Sequence, residues 1–348
     1  MNVLMLYAHD LFDTDLEEKS IAGTQTVFIQ LSRALQEEGC NVYVHTNTSL
    51  QLNQVSRTWK HLDQVNGDLA YDLMIVNVSP HLFDRYHHIR TRRKVLWIHN
   101  EAKYLFYWKR LRYLLLYRPL IIFSGNYHRS TMPFFFPVCG KKVIPFGLQK
   151  DLLQNDQPTQ QVPGPRVYFT SNPLRSLRWL IDLWEKELHP KVPHAELHIF
   201  SGWQTYGAWG EQVKNRMQVE IDYARSKSDS NVIIKEVLPK NELFKELKQG
   251  RAMLYRGDKA ETFCLAVAEA QALGLPAVVC DMGSMKERVV HGKTGYVAQN
   301  DNEFLNYALK ILTDDQLWLS MHRYAIEQGR QLTWSKSARA FMELVPQK

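Results

Sequence analysis

Residues 252–281 read AMLYRGDKAETFCLAVAEAQALGLPAVVCD and contain the clearest secondary-structure pattern in the chain. A short apolar run ends near Gly257, a polar loop carries Glu261, and an apolar helical pattern runs from about residue 262 to 273. Gly274 and Pro276 follow in the order that helix C-termini favour, and a second apolar run begins directly after them. A strand, a helix and a strand at this spacing predict a parallel βαβ unit.

The same alternation extends over most of the 348 residues. Up to about residue 148 it predicts a helix at 24–36 and strands at 2–7, 41–46, 72–78, 94–99, 120–125 and 141–147. After residue 165 it predicts helices at 175–187 and 208–227 and strands at 167–170, 196–202, 231–237, 252–257, 277–281 and 295–299. Residues 301–348 carry three helical patterns and no strand.

The intervening stretch 151–165 is rich in Gln, Asp and Pro and lacks an apolar period, so it predicts an exposed linker. Near-continuous apolar strands such as LMIV at 73–76 imply burial on both faces of a sheet. We therefore predict the α/β class, with two Rossmann-like, doubly wound domains that face a cleft, followed by C-terminal helices.

Composition excludes a disordered or fibrous chain, because 45% of the residues are hydrophobic and 23% are charged. No apolar stretch approaches the roughly 18–20 residues that span a bilayer. The N-terminal residues MNVLMLYAHD lack the basic start and long apolar core of a secretory signal, which predicts a cytoplasmic protein. Cys40, Cys139, Cys264 and Cys280 lie far apart without CxxC spacing, so no metal site and no disulfide framework is predicted.

The loop and helix at 257–273 carry the first functional hypothesis. A helix that starts near Phe263 aims the free backbone N–H groups of about Thr262 to Leu265 outward, where they favour a phosphate. Glu261 and Glu269 are suited to accept hydrogen bonds from sugar and ribose hydroxyls. The alternative is structural: Glu261 stabilises the helix N-terminus and Glu269 lies on a solvated face.

The spacing Glu261-x-Phe263-x5-Glu269-Ala, followed by ALGLP, a Gly-Ser turn, Glu287-Arg-Val and HGKTGYV, resembles the donor half of the retaining group-one (family four) glycosyltransferases, which have the GT-B fold. The similarity is strong from about 167 to 300. It is looser in the N-terminal half, in IAGTQTVFIQLSRALQEEGCNVYVHT, KVLWIHNE and KKVIPFGL, and in LTWSKSARAFMELV near the end.

The resemblance implies an acceptor-binding domain at 1–150, the linker at 151–165, a nucleotide-sugar-binding domain at 166–325, and a C-terminal helix within 326–348 that packs on the N-terminal domain. It implies sugar transfer from a nucleotide-diphosphate sugar to a glycan or lipid-linked acceptor with retention, in cell-surface polysaccharide or lipopolysaccharide synthesis. No cofactor and no metal are expected, since Asp13-Thr14-Asp15 is only a polar loop after the first strand. The alternatives are a nucleotide-sugar epimerase or phosphorylase of the same fold, and an inactive GT-B binding protein.

By the same resemblance, Arg175, Glu261 and His99 are the expected catalytic residues. Donor binding is expected from the remaining matched positions, which are Glu269, Thr262, Phe263, Cys264, Leu265 and Gly23. Without the family, His99 at a strand end fits a structural histidine equally well.

Two departures from the family stand out. The family pairs an Arg with a Lys about five residues later, whereas this chain has Thr170 and Arg175 there. Arg178 is either a second contact or, as the favoured interpretation, a surface charge. Thr262 and Cys264 replace glycines that are common in the family's phenylalanine loop.

The segment 85–118 is strongly basic and aromatic. With Glu101 as its one acid it has a net charge of +9, which exceeds the +7 of the whole chain. Its ten bases are Arg85, Arg90, Arg92, Arg93, Lys94, Lys103, Lys109, Arg110, Arg112 and Arg118. Three interpretations remain: a solvated face over partly buried aromatics, a surface for an anionic membrane on its inner face or for a phosphate-bearing acceptor, and, least favoured, a nucleic-acid site.

Overall fold

The computed structural model describes residues 1–11, 19–48, 59–153 and 158–346. The chain divides into two compact units. The first contains the N-terminal strand, Gly23–Gly147 and the residues from Leu332 onward, and the second contains Leu148–Gln331 together with residues 19–22.

The first unit is built on a seven-stranded parallel sheet with the order β3-β2-β1-β4-β5-β6-β7. Its strands are β1 Asn2–Tyr7, β2 Asn41–Thr46, β3 Trp59–His61, β4 Tyr71–Asn77, β5 Thr91–Trp97, β6 Leu120–Phe123 and β7 Gly140–Val143. Successive side chains of a strand point to opposite faces. Both members of the pairs Leu4, Met5 and Met74, Ile75 are buried, so both faces of this sheet are covered.

The helices of the first unit are α1 Gly23–Glu37, α2 Leu82–Arg85, α3 Trp108–Tyr117 and α4 Asn126–Ser130. In α1, the residues Val27, Phe28, Leu31 and Leu35 are buried at helical spacing. Gly39 follows with a φ of +84°, the left-handed conformation that ends many helices.

The second unit is built on a six-stranded parallel sheet with the order β10-β9-β8-β11-β12-β13. Its strands are β8 Arg166–Phe169, β9 Glu196–Phe200, β10 Val232–Lys235, β11 Ala252–Tyr255, β12 Ala277–Cys280 and β13 Gly295–Ala298. Its helices are α5 Lys150–Leu153, α6 Leu177–Leu183, α7 Gly207–Arg225, α8 Lys240–Leu247, α9 Leu265–Ala272, α10 Met285–Arg288, α11 Asp301–Thr313 and α12 Asp315–Gly329. Helix α6 continues as a π-helical turn over Trp184–Leu188.

The predicted α/β class with two doubly wound sheets is confirmed, and each predicted strand is present. Most are shorter than predicted, because the apolar run in the sequence continues past the end of the strand into the loop. Strand β7, for example, ends at Val143, although Pro145 and Phe146 extend the apolar run. The edge strand β3 was not predicted, since WKH at 59–61 has neither an apolar run nor an alternation. None of the helices in the described ranges is long and apolar enough to cross a membrane.

The last helix, α13 Trp334–Met342, packs on α1 within the first unit. Arg339 Nε and Ser335 Oγ both donate to the carboxylate of Glu38, at 2.8 and 2.5 Å. The Phe341 ring is buried with its centroid 5.4 Å from that of Trp97. Helix α12 continues to Gly329, so the domain boundary expected after residue 325 falls inside that helix.

The expected linker begins in the structure with α5, and residues 154–157 lie outside the described part of the chain. Thr159 donates its backbone N–H to His322 Nε2 at 3.1 Å, which attaches the later linker residues to α12. The Asp13-Thr14-Asp15 stretch also lies outside the described residues.

Gly147 provides a test of the packing of the start of α13. A Cβ atom at Gly147 would lie 2.2 Å from the backbone nitrogen of Trp334, and backbone atoms cannot move aside cheaply. We expect Gly147→Ala to lower the free energy of unfolding by at least about 1 kcal/mol, which thermal unfolding measures as a Tm decrease of about 2–4 °C for each kcal/mol. Gly67→Ala is the matched control, since its nearest neighbour, His88, is 3.8 Å away. Equal Tm values for the two variants would contradict the packing described here.

Candidate functional site

The strand order of the second unit reverses between β8 and β11, which are hydrogen-bonded neighbours. In open α/β sheets, ligands bind outside the carboxyl ends of the strands at such a reversal. The loop after β8 carries Arg175, and the loop after β11 carries Glu261. The topology therefore brings two of the predicted catalytic residues to one edge of one sheet.

Arg175 and Glu261 form an ion pair there. Arg175 Nη1 donates to Glu261 Oε2 at 2.5 Å, and the Tyr255 hydroxyl donates to the same oxygen at 2.9 Å. Burial disfavours the charged form of Arg175, but Glu261, Tyr255 and Asp258 together outweigh that effect, so the pKa of the guanidinium lies above its ordinary value. The side chains remain 33% and 12% exposed, which leaves the cation accessible to an anionic ligand.

The turn that follows β12 shapes the loop around Glu261. Ser284 donates its backbone N–H to the Glu261 carbonyl at 3.0 Å. A Cβ atom at Gly283 would lie 2.4 Å from the Asp258 carbonyl oxygen and 2.7 Å from that of Glu261. Gly283 also has a φ of +57°, so this position requires glycine for both space and conformation. The Gly-Ser turn is thus a structural support of the candidate site.

Helix α9 begins at Leu265, two residues later than predicted. The reason is Cys264, which precedes the helix with a φ of +64° and so interrupts helical geometry. The first helical hydrogen bond joins Ala268 N to Cys264 O, so the N–H groups without a partner inside the helix are those of Leu265, Ala266 and Val267. The helix terminus therefore lies later than the prediction placed it, while donor binding by Thr262, Phe263 and Cys264 stays a prediction.

Thr262, Phe263 and Cys264 are buried in the turn before α9. A positive φ is costly for a residue with a side chain, so the turn holds Cys264 in a conformation that glycine adopts more readily. Burial raises the pKa of the Cys264 thiol well above its ordinary value, so the group is an uncharged structural thiol.

Glu269 is 3% exposed, which excludes the alternative that placed it on a solvated face. Lys240, at the start of α8, donates from Nζ to both carboxylate oxygens of Glu269, at 2.8 and 2.6 Å. A carboxylate oxygen has two acceptor positions, so each oxygen of Glu269 retains one for a ligand hydroxyl. The ammonium group of Lys240 is thus the ion-pair partner of a buried carboxylate.

Lys240 and Arg288 are candidate functional residues that the sequence analysis missed. The Arg288 guanidinium stacks on the Phe263 ring at 4.0 Å, and burial lowers its pKa to about 10. Both Arg288 and Arg175 act electrostatically on Cys264, so two cations lie near the start of α9. The only signal in the sequence was that Arg288 directly follows Glu287 in a segment that resembles the family.

Arg178, the expected surface charge, lies on α6 and pairs with Glu220 at 3.0 Å. Its guanidinium stacks on the Tyr223 ring at 3.9 Å. Arg178 on α6 therefore contacts side chains of α7, and its partner is not Glu261.

Gly23 and His99 belong to the first unit, where Gly23 is the first residue of α1 and His99 follows β5. His99 Nε2 lies 2.6 Å from Asn77 Oδ1, which makes Nε2 the donor nitrogen. Burial, with a smaller contribution from the charge of His128, lowers the pKa of His99 to about 3. The ring is therefore neutral at pH 7 and is suited to hydrogen bonding rather than to proton donation.

The described residues contain no group of three or more His, Cys, Asp or Glu that could hold a metal ion. Two cavities of about 440 and 460 Å³ lie elsewhere in the second unit, and neither is lined by a predicted site residue. The candidate site is therefore defined by the ion pairs, the strand order and the start of α9.

Known proteins share both the fold and part of the sequence. Sucrose-phosphate synthase from Thermosynechococcus elongatus matches with a TM-score of 0.75 at 14% identity, over 99% of this chain and 98% of that one. The Anabaena protein HepE, solved in complex with UDP-glucose, matches with a TM-score of 0.70 at 17% identity, over 99% and 98% of the two chains. The chain thus has the GT-B fold.

Residues 210–332 match the model of the family "Glycosyl transferases group 1". The D-inositol 3-phosphate glycosyltransferase of Corynebacterium urealyticum is 30% identical over 86 residues, which are 24% of this chain and 20% of that protein. The trehalose phosphorylase of Grifola frondosa is 27% identical over 97 residues, which are 27% of this chain and 13% of that protein. The matches therefore span a fifth or less of these two curated relatives.

The group-one resemblance inferred from the sequence is confirmed by these matches. Residues 210–332 match the group-one glycosyltransferase family model, on a chain with the fold of the GT-B glycosyltransferases.

Arg175 and Arg178 make a matched pair of variants, because they are separated by one helical turn in sequence and differ in partner. We expect Arg175→Ala to weaken binding of nucleoside diphosphates by at least about tenfold, since a charge-assisted contact to a phosphate is lost. Arg178→Ala should leave the affinity unchanged. Isothermal calorimetry with UDP, GDP and ADP measures both. Equal affinities for the two variants, or no binding by the unaltered protein, would refute the assignment of Arg175.

The neutral state of His99 is testable by a pH titration. Since its pKa of about 3 lies below the ordinary value of 6.5, protonation favours the unfolded chain. Its contribution to stability is complete above about pH 6.5 and decreases as the pH falls toward 3. Histidine ring NMR should show no protonation of His99 between pH 8 and pH 5, with His99→Gln used to assign the signal. A ring that titrates near pH 6.5 would contradict the burial described here.

Proposed function

We propose that this protein transfers a sugar from a nucleotide-diphosphate sugar to a glycan or lipid-linked acceptor, with retention of anomeric configuration and without a metal ion. The observation that carries the proposal is the Arg175–Glu261 ion pair beside the start of α9, at the strand reversal of the second unit. Glu261 lies within residues 210–332, which match the group-one glycosyltransferase family model. HepE, with 17% identity, was solved with UDP-glucose, which supports this class of donor. Cytoplasmic synthesis of cell-surface polysaccharide or lipopolysaccharide is the proposed setting.

In the proposed complex, the diphosphate is held by Arg175 and by the N–H groups of Leu265 and Ala266, since the Val267 N–H already bonds the Cys264 sulfur. These groups are fixed before the reaction, and preorganised positive groups aimed at developing charge supply the largest catalytic effect in many enzymes. Arg288 adds a second cation near the same helix start. Together they provide the charge that a metal ion supplies in other transferases.

Glu269 is proposed to accept the ribose hydroxyls at the acceptor positions that Lys240 leaves open. Glu261 changes partner on donor binding: as the diphosphate takes up hydrogen bonds of Arg175, the Glu261 carboxylate becomes available for a hydroxyl of the donor sugar. Gly23 and His99 are the proposed contributions of the first unit, where Gly23 lets the backbone approach the diphosphate or the acceptor closely and neutral His99 contacts the donor sugar.

The proposed reaction breaks the bond between the anomeric carbon and the diphosphate oxygen and forms a bond from the acceptor oxygen to the same carbon. The bonding electrons leave with the nucleoside diphosphate, and the acceptor hydroxyl proton passes to the departing phosphate oxygen. Attack on the face that the leaving group vacates accounts for retention. This mechanism follows from the family resemblance.

A phosphorylase is the second candidate, favoured by the short match to a trehalose phosphorylase. It would use inorganic phosphate and a glycoside in place of a nucleotide sugar. An epimerase would convert the donor without any acceptor, and an inactive binding protein would convert nothing.

The test begins with a thermal-shift screen of UDP-, GDP- and ADP-sugars, and continues with the donor that stabilises the protein most. We expect an increase in Tm for one nucleotide class and, with an acceptor extract, release of nucleoside diphosphate that survives added EDTA. NMR of the product from an α-linked donor should show an α-linkage. Glu269→Gln is the matched variant, with loss of donor binding expected since a neutral amide accepts the ribose hydroxyls less strongly.

The contrary outcomes are distinct. Donor conversion without acceptor indicates an epimerase, and turnover that needs phosphate but no nucleotide indicates a phosphorylase. The absence of a Tm increase with every nucleotide sugar would refute the proposal as a whole.

A further inference from the structure

The basic segment 85–118 divides into two parts in the structure. In the first part, Arg85 pairs with Asp63, and Arg92 binds Asp72 and the Pro346 carbonyl. Arg93 Nε donates to the Leu344 carbonyl at 2.9 Å. These arginines connect β5 and α2 to neighbouring parts of the first unit. Their guanidinium groups are therefore engaged by carboxylates and carbonyls of the protein itself.

The second part, around α3, keeps its charge exposed. Lys109, Arg110, Arg112 and Arg118 are all exposed, and none has a carboxylate partner among the described residues. Residues 102–150 contain nine Lys or Arg and no Asp or Glu. A stretch of this length without an acidic residue makes this part of the first unit strongly basic, which favours an anionic partner.

Helix α3 also exposes large apolar side chains. Of its ten residues only Leu114 is buried, while Trp108 is 68% and Leu116 is 67% exposed. Trp108 and Leu115 are two helical turns apart and therefore lie on one face, with Arg112 between them. One outward face of α3 thus combines an aromatic ring, leucines and a guanidinium.

A second exposed apolar segment adjoins the start of α3. Phe134 is 92% and Phe135 is 73% exposed. The rings of Phe106 and Phe136 lie 4.8 Å apart and connect this segment with the residues that precede α3. We call the six residues Tyr107, Trp108, Leu115, Leu116, Phe134 and Phe135 the aromatic face.

An exposed cluster of this size is unusual for a surface that meets only water, because each ring carries a large apolar area. The combination of Trp, Tyr, Phe and Leu with Lys and Arg is typical of segments that lie in the interfacial region of a bilayer. A helix of ten residues is half the length that spans a bilayer, so such a helix lies parallel to the membrane plane.

We propose that the aromatic face inserts into the interfacial region of an anionic lipid bilayer, with the bases around α3 contacting the lipid phosphates. The anionic surface attracts Lys109, Arg112 and Arg118, and the aromatic rings anchor the first unit by leaving water. This goes beyond the proposed transfer reaction, since every residue involved is remote in sequence from the donor residues of the second unit and the attachment needs no nucleotide.

The test measures binding of the full chain to sedimented vesicles of phosphatidylcholine alone and of phosphatidylcholine mixed with phosphatidylglycerol. We expect binding to the mixed vesicles and little to the neutral ones. The double variant Phe134→Ser/Phe135→Ser should bind at least about tenfold more weakly, because two exposed rings no longer leave water. Lys109→Glu/Arg112→Glu should also bind more weakly and should abolish most of the salt dependence.

Matched controls in the second unit are Tyr324→Ser, whose ring is 44% exposed, and Lys214→Glu/Arg216→Glu on α7. They should bind the mixed vesicles as the unaltered protein does. Circular dichroism and Tm show whether each variant is folded, and nucleotide binding in the same samples tests the donor site separately. The proposed membrane attachment can therefore be refuted without refuting the proposed transfer reaction, and the transfer reaction can be refuted without refuting the attachment.

Three results would overturn the proposal. The first is no binding to mixed vesicles. The second is binding that the phenylalanine variant leaves unchanged, which would indicate adsorption by charge alone. The third is a lipid-free dimer that becomes a monomer in the phenylalanine variant, which would show that a second copy covers the aromatic face.

Discussion

The candidate site of the second unit depends on the ion pair between Arg175 and Glu261. The two residues are 86 positions apart, and they meet because β8 and β11 are neighbours at the strand reversal. Tyr255 adds a hydrogen bond to the same carboxylate oxygen. A guanidinium that is partly buried and balanced by one carboxylate is ready to exchange that partner for a diphosphate, whose charge is larger.

The backbone around the site is closely packed, so we expect only side chains to move when Arg175 exchanges Glu261 for a diphosphate. Gly283 leaves no space for the loop at 258–261 to shift toward it, and Cys264 fixes the start of α9 with a positive φ. Lys240 holds Glu269 in place through both carboxylate oxygens. In the proposed complex, therefore, the helix start and the ribose site are already formed, and the change on binding is confined to the partners of Arg175 and Glu261.

Sequence reasoning predicted the two sheets because their strands are short apolar runs between helices, a pattern that parallel sheets require. It identified Glu261 and Glu269 because both lie on one loop and helix with a fixed spacing. It missed Lys240 because the pairing with Glu269 joins residues 29 positions apart on different helices. The start of α9 was predicted too early because φ at Cys264 depends on the packed turn and not on residue type.

The basic segment 85–118 is a second case in which contacts between distant residues could not be predicted from the sequence. In the sequence its ten bases form one group, but Asp63 and Asp72 come from other parts of the chain and engage the arginines near β5. The sequence analysis assigned no role to Phe134 and Phe135, and only the folded unit reveals that they are exposed. Contacts between distant segments thus decide which charged and apolar groups remain on the surface.

A crystal structure of the protein with a bound nucleoside diphosphate is the most direct test of the central claim. The account predicts the diphosphate within hydrogen-bond distance of the Arg175 guanidinium and of the N–H groups of Leu265 and Ala266, with the ribose hydroxyls on Glu269. A diphosphate bound elsewhere, with the Arg175–Glu261 and Lys240–Glu269 contacts unchanged, would contradict it.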